Sequence, residues 1–356
     1  MEMRRVAALV VVAVLAVACG ADETRDGFVA PLDPVGLQAA FDEWAEGAAG
    51  GGVAAIRAGN GGEVIVLAAG TEPDGTALQP NAVVRMGSIS KTVIATLVLD
   101  LVASGDVELD VALDTYLPNT PLGADVTIRE LLGHRSGIAN YTDSEALWDA
   151  LFRDRERVLS PEDMLSFVGE EDELFEPGSS FGYSNTNYIL LGQMIEEVSG
   201  QSANAVLEAV VSGPLGLDTM TFDDGTGDVV SGYTTSSGRG STGDGSYVSV
   251  ATAAWTAGAL VSSVEDLVEF VDALFAGRII PEVLVADMYP TGATPEYGLG
   301  LHPGDHFGLG HGGSITGFNA TMQLDPGTGD ILIVVVNNDQ RRVEIAGDVL
   351  VEAAER

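Results

Sequence analysis

Positive charge is scarce in this chain. Lysine and arginine together number 16 against 53 aspartates and glutamates, a formal net charge of −37. A surface this acidic repels phosphate, which excludes nucleic acid as a partner and disfavours anionic lipid headgroups. Cysteine occurs once, at Cys19, so no disulfide can close within the chain. The apolar run Val6 to Val17 is too short for a comfortable membrane span. Histidine is rare too. His302 and His306 flank a Pro-Gly turn without a convincing third ligand, so no metal site is expected there. Asp223 to Asp228 lacks the spacing and terminal glutamate of a calcium loop and reads as a solvated turn. Neither metal nor cofactor is expected. What is plentiful is apolar residues, 46% of 356, enough to bury a sizeable core.

The first residues read as an export signal. Arg4 and Arg5 precede the apolar run, and Ala16-Val17-Ala18 fits a small-residue cleavage site. Cys19 directly after it resembles the acceptor of a bacterial lipoprotein, although Ala16 stands where such signals more often carry leucine. Residues 1–18 are therefore expected to be a signal peptide and 19–34 a polar tether. The protein would be exported, held at the membrane through Cys19 or released as a secreted or periplasmic protein.

Val35 to Ala48 has helical periodicity, with Leu37, Phe41 and Trp44 on one face. Val53 to Ala58 and Glu63 to Ala69, joined through Gly-Asn-Gly-Gly, predict a hairpin. A strand at Ala82 to Met86 and a strong helix from Ser88 follow. Helices are predicted over Thr127–His134, Pro161–Phe167, Asn185–Val198, Ala203–Val211 and Ser263–Phe275. Asp223 to Ser249, rich in Gly, Ser, Thr and Asp, reads as a long mobile surface loop. Phe318–Leu324 and Ile331–Val336 flank a six-residue turn and predict a second hairpin, and Glu344–Glu355 closes the chain as a helix. Strands at both ends enclose a helical block. The expected division is a discontinuous α/β domain, 35–106 with 250–356, and a mostly helical domain, 107–249.

Lys91 is the single lysine. Arginine cannot give up its proton at working pH, whereas a desolvated lysine can and then serves as a base. Ser88 lies three residues earlier at a helix start, so both side chains share a face one turn apart. The helix N-terminus disfavours the ammonium form of Lys91 and favours an anion forming at Ser88. A serine alcohol is a weak nucleophile and needs such a base.

Further pieces follow in order: Tyr183-Ser184-Asn185 before a helix, and Gly310-His311-Gly312-Gly313-Ser314 ahead of the last hairpin. With Ser88-Ile89-Ser90-Lys91, and runs such as Leu131-Leu132-Gly133-His134-Arg135-Ser136-Gly137, the chain resembles the serine β-lactamase and penicillin-recognising enzymes. The likeness is to the class C and D-alanyl-D-alanine carboxypeptidase branch with its esterase relatives, over roughly residues 35 to 355. It implies an α/β (α+β) fold of the β-lactamase/transpeptidase type: an antiparallel sheet flanked by terminal helices, with an inserted helical domain.

The resemblance also implies roles. Ser88 would form an acyl-enzyme, with Lys91 and Tyr183 sharing proton transfer; which of the two is the resting base stays open at this point. Tyr183 acts as a base only if nearby cations lower its pKa. Asn185 would hold a substrate carbonyl. The N–H groups of Ser88 and Ser314 would form an oxyanion hole. Gly313 would keep the strand open to substrate, and His311 would donate a hydrogen bond where many relatives carry lysine. His134, at a helix end, reads as structural.

The leading expectation is D-alanyl-D-alanine carboxypeptidase-like action on a peptidoglycan stem peptide or related small molecule. The alternatives are a carboxylesterase, a class C-like β-lactamase, and, from a different class, an inactive penicillin-binding or sensor module. No arginine or lysine lies between Ile279 and Gln340, which removes the carboxylate clamp expected beside the last motif and raises the esterase reading. Arg239 is the cation that a long loop would bring instead.

Overall fold

Ile331 to Val336 contains no polar residue, so a strand built from it needs cover on both faces. The computed structural model describes residues 27–169, 173–235, 243–244 and 247–356, and it places this strand near the middle of a six-stranded antiparallel sheet. The expected signal segment, Cys19 and Arg239 lie outside the described residues. In chain order the strands are β1 (Gly52–Arg57), β2 (Ile65–Ala69), β3 (Val84–Arg85), β4 (Thr221–Phe222), β5 (Leu260–Ser262), β6 (His302–Pro303), β7 (Leu309–Ile315), β8 (Phe318–Leu324) and β9 (Ile331–Val336). A two-residue ladder of Tyr233–Thr234 with Gly243–Asp244 stands apart. The longer helices are α1 (Pro34–Ala45), α2 (Ser90–Ser104), α3 (Asn185–Ser199), α4 (Val248–Gly258), α5 (Val264–Phe275) and α6 (Val343–Ala354).

The sheet order is β2-β1-β9-β8-β7-β6. Its two faces follow the period of two along each strand. Ala54, Ile56, Leu332, Val334 and Val336 pack with Leu37 and Phe41 of α1 and Leu350 of α6. Val53, Ala55, Ile331, Ile333 and Val335 belong to a second buried cluster that reaches Val98 of α2, Leu190 of α3 and Phe270 of α5. One core thus runs from the sheet through the helical segment. Gly87–Ser104 is the one helical stretch among the described residues long and apolar enough to cross a membrane, and 72% of it is buried in this core.

β3, β5 and β4 form a small sheet in the order β3-β5-β4 under the turn that carries Ser88. Asp223 follows β4 and is buried, not solvated as its sequence suggested: Oδ2 accepts from Arg85 Nη2 at 2.8 Å and Nε at 2.9 Å. Removing one partner of a buried pair strands the other charge, at a cost of about 3–5 kcal/mol. Asp223→Ala is therefore expected to lower the denaturation midpoint strongly, and an unchanged melt would show the pair to be dispensable.

The expected surface loop Asp223–Ser249 is also tied down elsewhere. Tyr233 N–H donates to Asn337 O at 2.8 Å, and α4 begins at Val248. The polar composition hid this, because these backbone groups are paired by distant segments rather than by water. The expected tether ends early as well. Phe28 is buried against Phe307, and its N–H donates to Asp330 Oδ2 at 2.7 Å.

Candidate active site

Ser88 sits in a single 3-10 turn, Gly87–Ile89, that leads directly into α2. Gly87 has φ +53°, and a Cβ there would stand 2.7 Å from Ser314 N, so only glycine lets the turn lie against β7. Ser90 Oγ donates to Gly87 O at 2.6 Å and accepts from Leu260 N–H at 2.9 Å, clamping the turn to β5. Ser90 was passed over in the sequence; its place as the second serine of Ser88-Ile89-Ser90-Lys91 was the available signal.

Lys91, in the first turn of α2, is fully buried. Its Nζ lies 3.0 Å from Ser88 Oγ, 2.7 Å from Asn185 Oδ1 and 2.6 Å from Ala257 O. Burial pushes its pKa well below the ordinary 10.5. Two of these partners are carbonyl oxygens that can only accept. A neutral amine has two N–H bonds for them and one lone pair left for the Ser88 hydroxyl proton.

Asn185 opens α3. Its N–H donates to Asn140 Oδ1 at 3.0 Å and its Nδ2 to Thr142 Oγ1 at 3.1 Å, so the amide is held from both sides. Tyr183 faces the cleft, 38% exposed, with its ring centroid 5.0 Å from Lys91 Nζ. Loss of hydration pushes its phenol pKa up, and a hydrogen bond with Ser88 works the other way. The two proton-transfer candidates are therefore pulled in opposite directions.

His311, on β7, is buried. Nδ1 lies 2.5 Å from Gly312 O, which can only accept, so this nitrogen carries the proton and Nε2 takes the hydroxyl of Tyr297 at 2.8 Å. Burial holds its pKa well below 6.5. His311 thus forms part of the cleft wall, but both ring nitrogens are already engaged within the protein; the expected hydrogen bond to substrate has no donor left. Gly313 lines the same cleft, and its lack of a side chain answers a second contact as well. A Cβ there would stand 2.0 Å from Met86 O, so the missing side chain admits the nucleophile turn. The rings of His302 and His306 are engaged apart: His302 Nε2 accepts from Gly312 N–H at 3.0 Å, while His306 Nε2 lies 3.2 Å from Glu344 O.

Ser88 and Ser314 line two spaces. On the Tyr183 side is an open cleft of about 610 Å³. Its far wall carries Glu296, Asp305, Asp339 and Glu344, with Arg341 and Arg342 among them. Arg341 is committed to Trp44, 3.7 Å over its ring and 2.8 Å from its carbonyl oxygen. Arg342 is exposed, with Nε 3.4 Å from Glu344 Oε2. Two cations therefore reach the cleft from just past Gln340. On the Asn185 side is a smaller recess of about 100 Å³, walled by apolar side chains including Leu147, Trp148, Leu151, Val250 and Ile315.

The beta-lactamase family model matches residues 37–355. The chain belongs to this family. A putative penicillin-binding protein of Bacillus subtilis is 24% identical over 266 residues, which are 73% of this chain and 63% of that protein. The D-aminopeptidase of Brucella anthropi is 29% identical over 68% of this chain and 47% of its own length. The chain thus spans less than two thirds of either of these family relatives. Among solved structures, a D-stereospecific amidohydrolase from Streptomyces sp. superposes with a TM-score of 0.77 at 29% identity, covering 91% of this chain and 98% of that one. The architecture is the β-lactamase/transpeptidase-like fold of this family of serine hydrolases.

Proposed function

We propose that the protein hydrolyses amides through an acyl-enzyme on Ser88, taking an apolar D-amino acyl group and releasing an uncharged or cationic amine. The division of the space around Ser88 carries this reading: an apolar recess beside Asn185, and a carboxylate-rich cleft beside Tyr183. Neutral Lys91 takes the Ser88 proton as Oγ bonds to the substrate carbonyl carbon. The oxyanion forms between the N–H groups of Ser88 and Ser314. Tyr183, whose raised pKa keeps its proton in place, donates it to the leaving nitrogen as the C–N bond breaks and recovers one from Lys91. Water then attacks the ester carbon and gives its proton to Lys91, which passes it to Ser88 Oγ as the C–O bond to Ser88 breaks. Of the two groups left open by the sequence, Lys91 is the resting base, because its neutral form is the accessible one.

The leaving group departs toward Tyr183, past Glu296, Asp305, Asp339 and Glu344. A leaving group with its own carboxylate meets like charge there, which disfavours C-terminal D-alanine. The names of the Streptomyces amidohydrolase and the Brucella D-aminopeptidase agree with an amide substrate of D configuration. The same proposal puts the enzyme outside the cytoplasm, held through Cys19 or released after residue 18.

Arg342 favours a second reading, D-alanyl-D-alanine carboxypeptidase action, because its exposed guanidinium is placed to meet a carboxylate. A panel of D-phenylalanine amide, an N-acyl-D-alanyl-D-alanine and a penicillin, with Ser88→Ala as blank, separates the two. The amide is expected to exceed the dipeptide in kcat/KM by about tenfold or more, the equivalent of about 1.4 kcal/mol. A dipeptide that outpaces the amide, and loses that lead in Arg342→Gln, would establish the carboxypeptidase instead.

A further inference from the structure

We propose that His134 is a positioning residue for the reaction at Ser88, acting through the Nδ1 lone pair on the backbone N–H of Ser184, the residue between Tyr183 and Asn185. The inference rests on the acyl-enzyme reading above. His134 is fully buried, and its Nδ1 accepts from Ser184 N–H at 3.2 Å, with Asn187 Nδ2 approaching the same atom at 3.5 Å. Ser184 is itself buried. Without this acceptor its N–H loses its partner, and Ser184, with Tyr183 on one side and Asn185 on the other, loses its backbone anchor. The imidazole also packs at a tilt against Tyr183, ring centroids 4.1 Å apart with 33° between planes.

An accepting Nδ1 means a neutral ring with its proton on Nε2. That nitrogen is buried with no hydrogen-bond partner among the described residues. The titratable groups around the ring are Lys91 on α2, Tyr183, Tyr188 on α3, Tyr297 ahead of β6, and His311 on β7. None is a carboxylate, so none stabilises an imidazolium. Burial holds the pKa well below 6.5. A second ring proton would set N–H against N–H at Ser184 and release the peptide. Acid therefore costs activity through His134 as well as through Lys91.

His134 has φ +54°, a conformation that asparagine and glycine tolerate. Asparagine places Oδ1 near the position of Nδ1, whereas glycine removes the acceptor. His134→Asn is expected to keep kcat within about threefold of wild type. His134→Gly is expected to lose about 5- to 150-fold in kcat, the range of an unmet buried donor, with KM little changed. In His134→Asn the acid limb of kcat should also lose one proton, and amide exchange at Ser184 should stay slow; in His134→Gly that exchange should speed up. An asparagine variant as slow as the glycine one, or with the wild-type acid limb, would overturn the proposal. If the glycine variant does not fold, the asparagine pH profile and Ser184 exchange decide alone. The wild-type rate against Ser88→Ala tests the acyl-enzyme reading separately, and Ser184 exchange does not depend on it.

Discussion

Lys91→Arg is expected to abolish acylation of Ser88 and to destabilise the fold at the same time. Arginine stays charged at any working pH, so the proton acceptor for Ser88 is gone, and general-base catalysis of this kind is worth about 10²–10⁴ in rate. The stability loss has a separate cause. Lys91 is fully buried, and its polar partners are a hydroxyl, an amide oxygen and a backbone carbonyl, with no carboxylate among them. A permanent guanidinium in that place is an uncompensated buried charge, costing about 3–5 kcal/mol. Lys91→Met separates the two effects. It should be as slow as Lys91→Arg in burst acylation by a chromogenic ester, yet melt much closer to wild type. The pH dependence has a definite sign. The folded-state pKa lies below the ordinary 10.5, so between those two values the unfolded chain binds the extra proton. The stability contributed by this lysine is fully present above 10.5 and is lost as pH falls toward the folded-state value. Lys91→Met should remove that slope. Near-normal acylation by Lys91→Arg would sink the assignment of Lys91 as base.

The second large effect is expected at Gly313→Ala. The new methyl would sit 2.0 Å from Met86 O and 3.3 Å from Ala320 Cβ, so β7 and the nucleophile turn must separate. That displaces the Ser314 N–H from Ser88, and loss of one oxyanion donor lowers rates by about 10²–10³. Overpacking of this kind costs about 1–3 kcal/mol or more in addition. Gly312→Ala is the control one residue away. A Cβ at Gly312 meets nothing closer than Ala320 O at 3.9 Å, so its melting curve should stay near wild type. Equal melting curves and equal acylation rates for the two variants would show that the contact between β7 and the turn does not hold the site.

Much of the chemistry was legible because it is local. Ser88 and Lys91 are one helical turn apart, and a lone lysine in an arginine-using chain is informative without any structure. The hairpin Phe318–Leu324 with Ile331–Val336 was readable for the same reason, since turn and strands are contiguous. Other features were hidden because they depend on residues distant in the chain. Nothing in Asp223 announces Arg85, 138 residues away, and nothing in His134 announces the Ser184 N–H, 50 residues away. The α4 helix was missed because Val, Ser and Thr weaken its helical signal and burial supplies the stability that propensity lacks.

The sequence by itself determined the family of folds and marked Ser88, Lys91 and Tyr183 as the candidate reacting groups, because each is written in short runs whose spacing translates directly into geometry. Tertiary structure alone decided how deeply Lys91 is buried, what a side chain at Gly313 would meet, where His311 spends its hydrogen bonds, and how the space around Ser88 divides into an apolar recess and an acidic cleft. Those properties come from burial and from backbone approaching backbone across the fold, and neither exists until the chain has closed on itself.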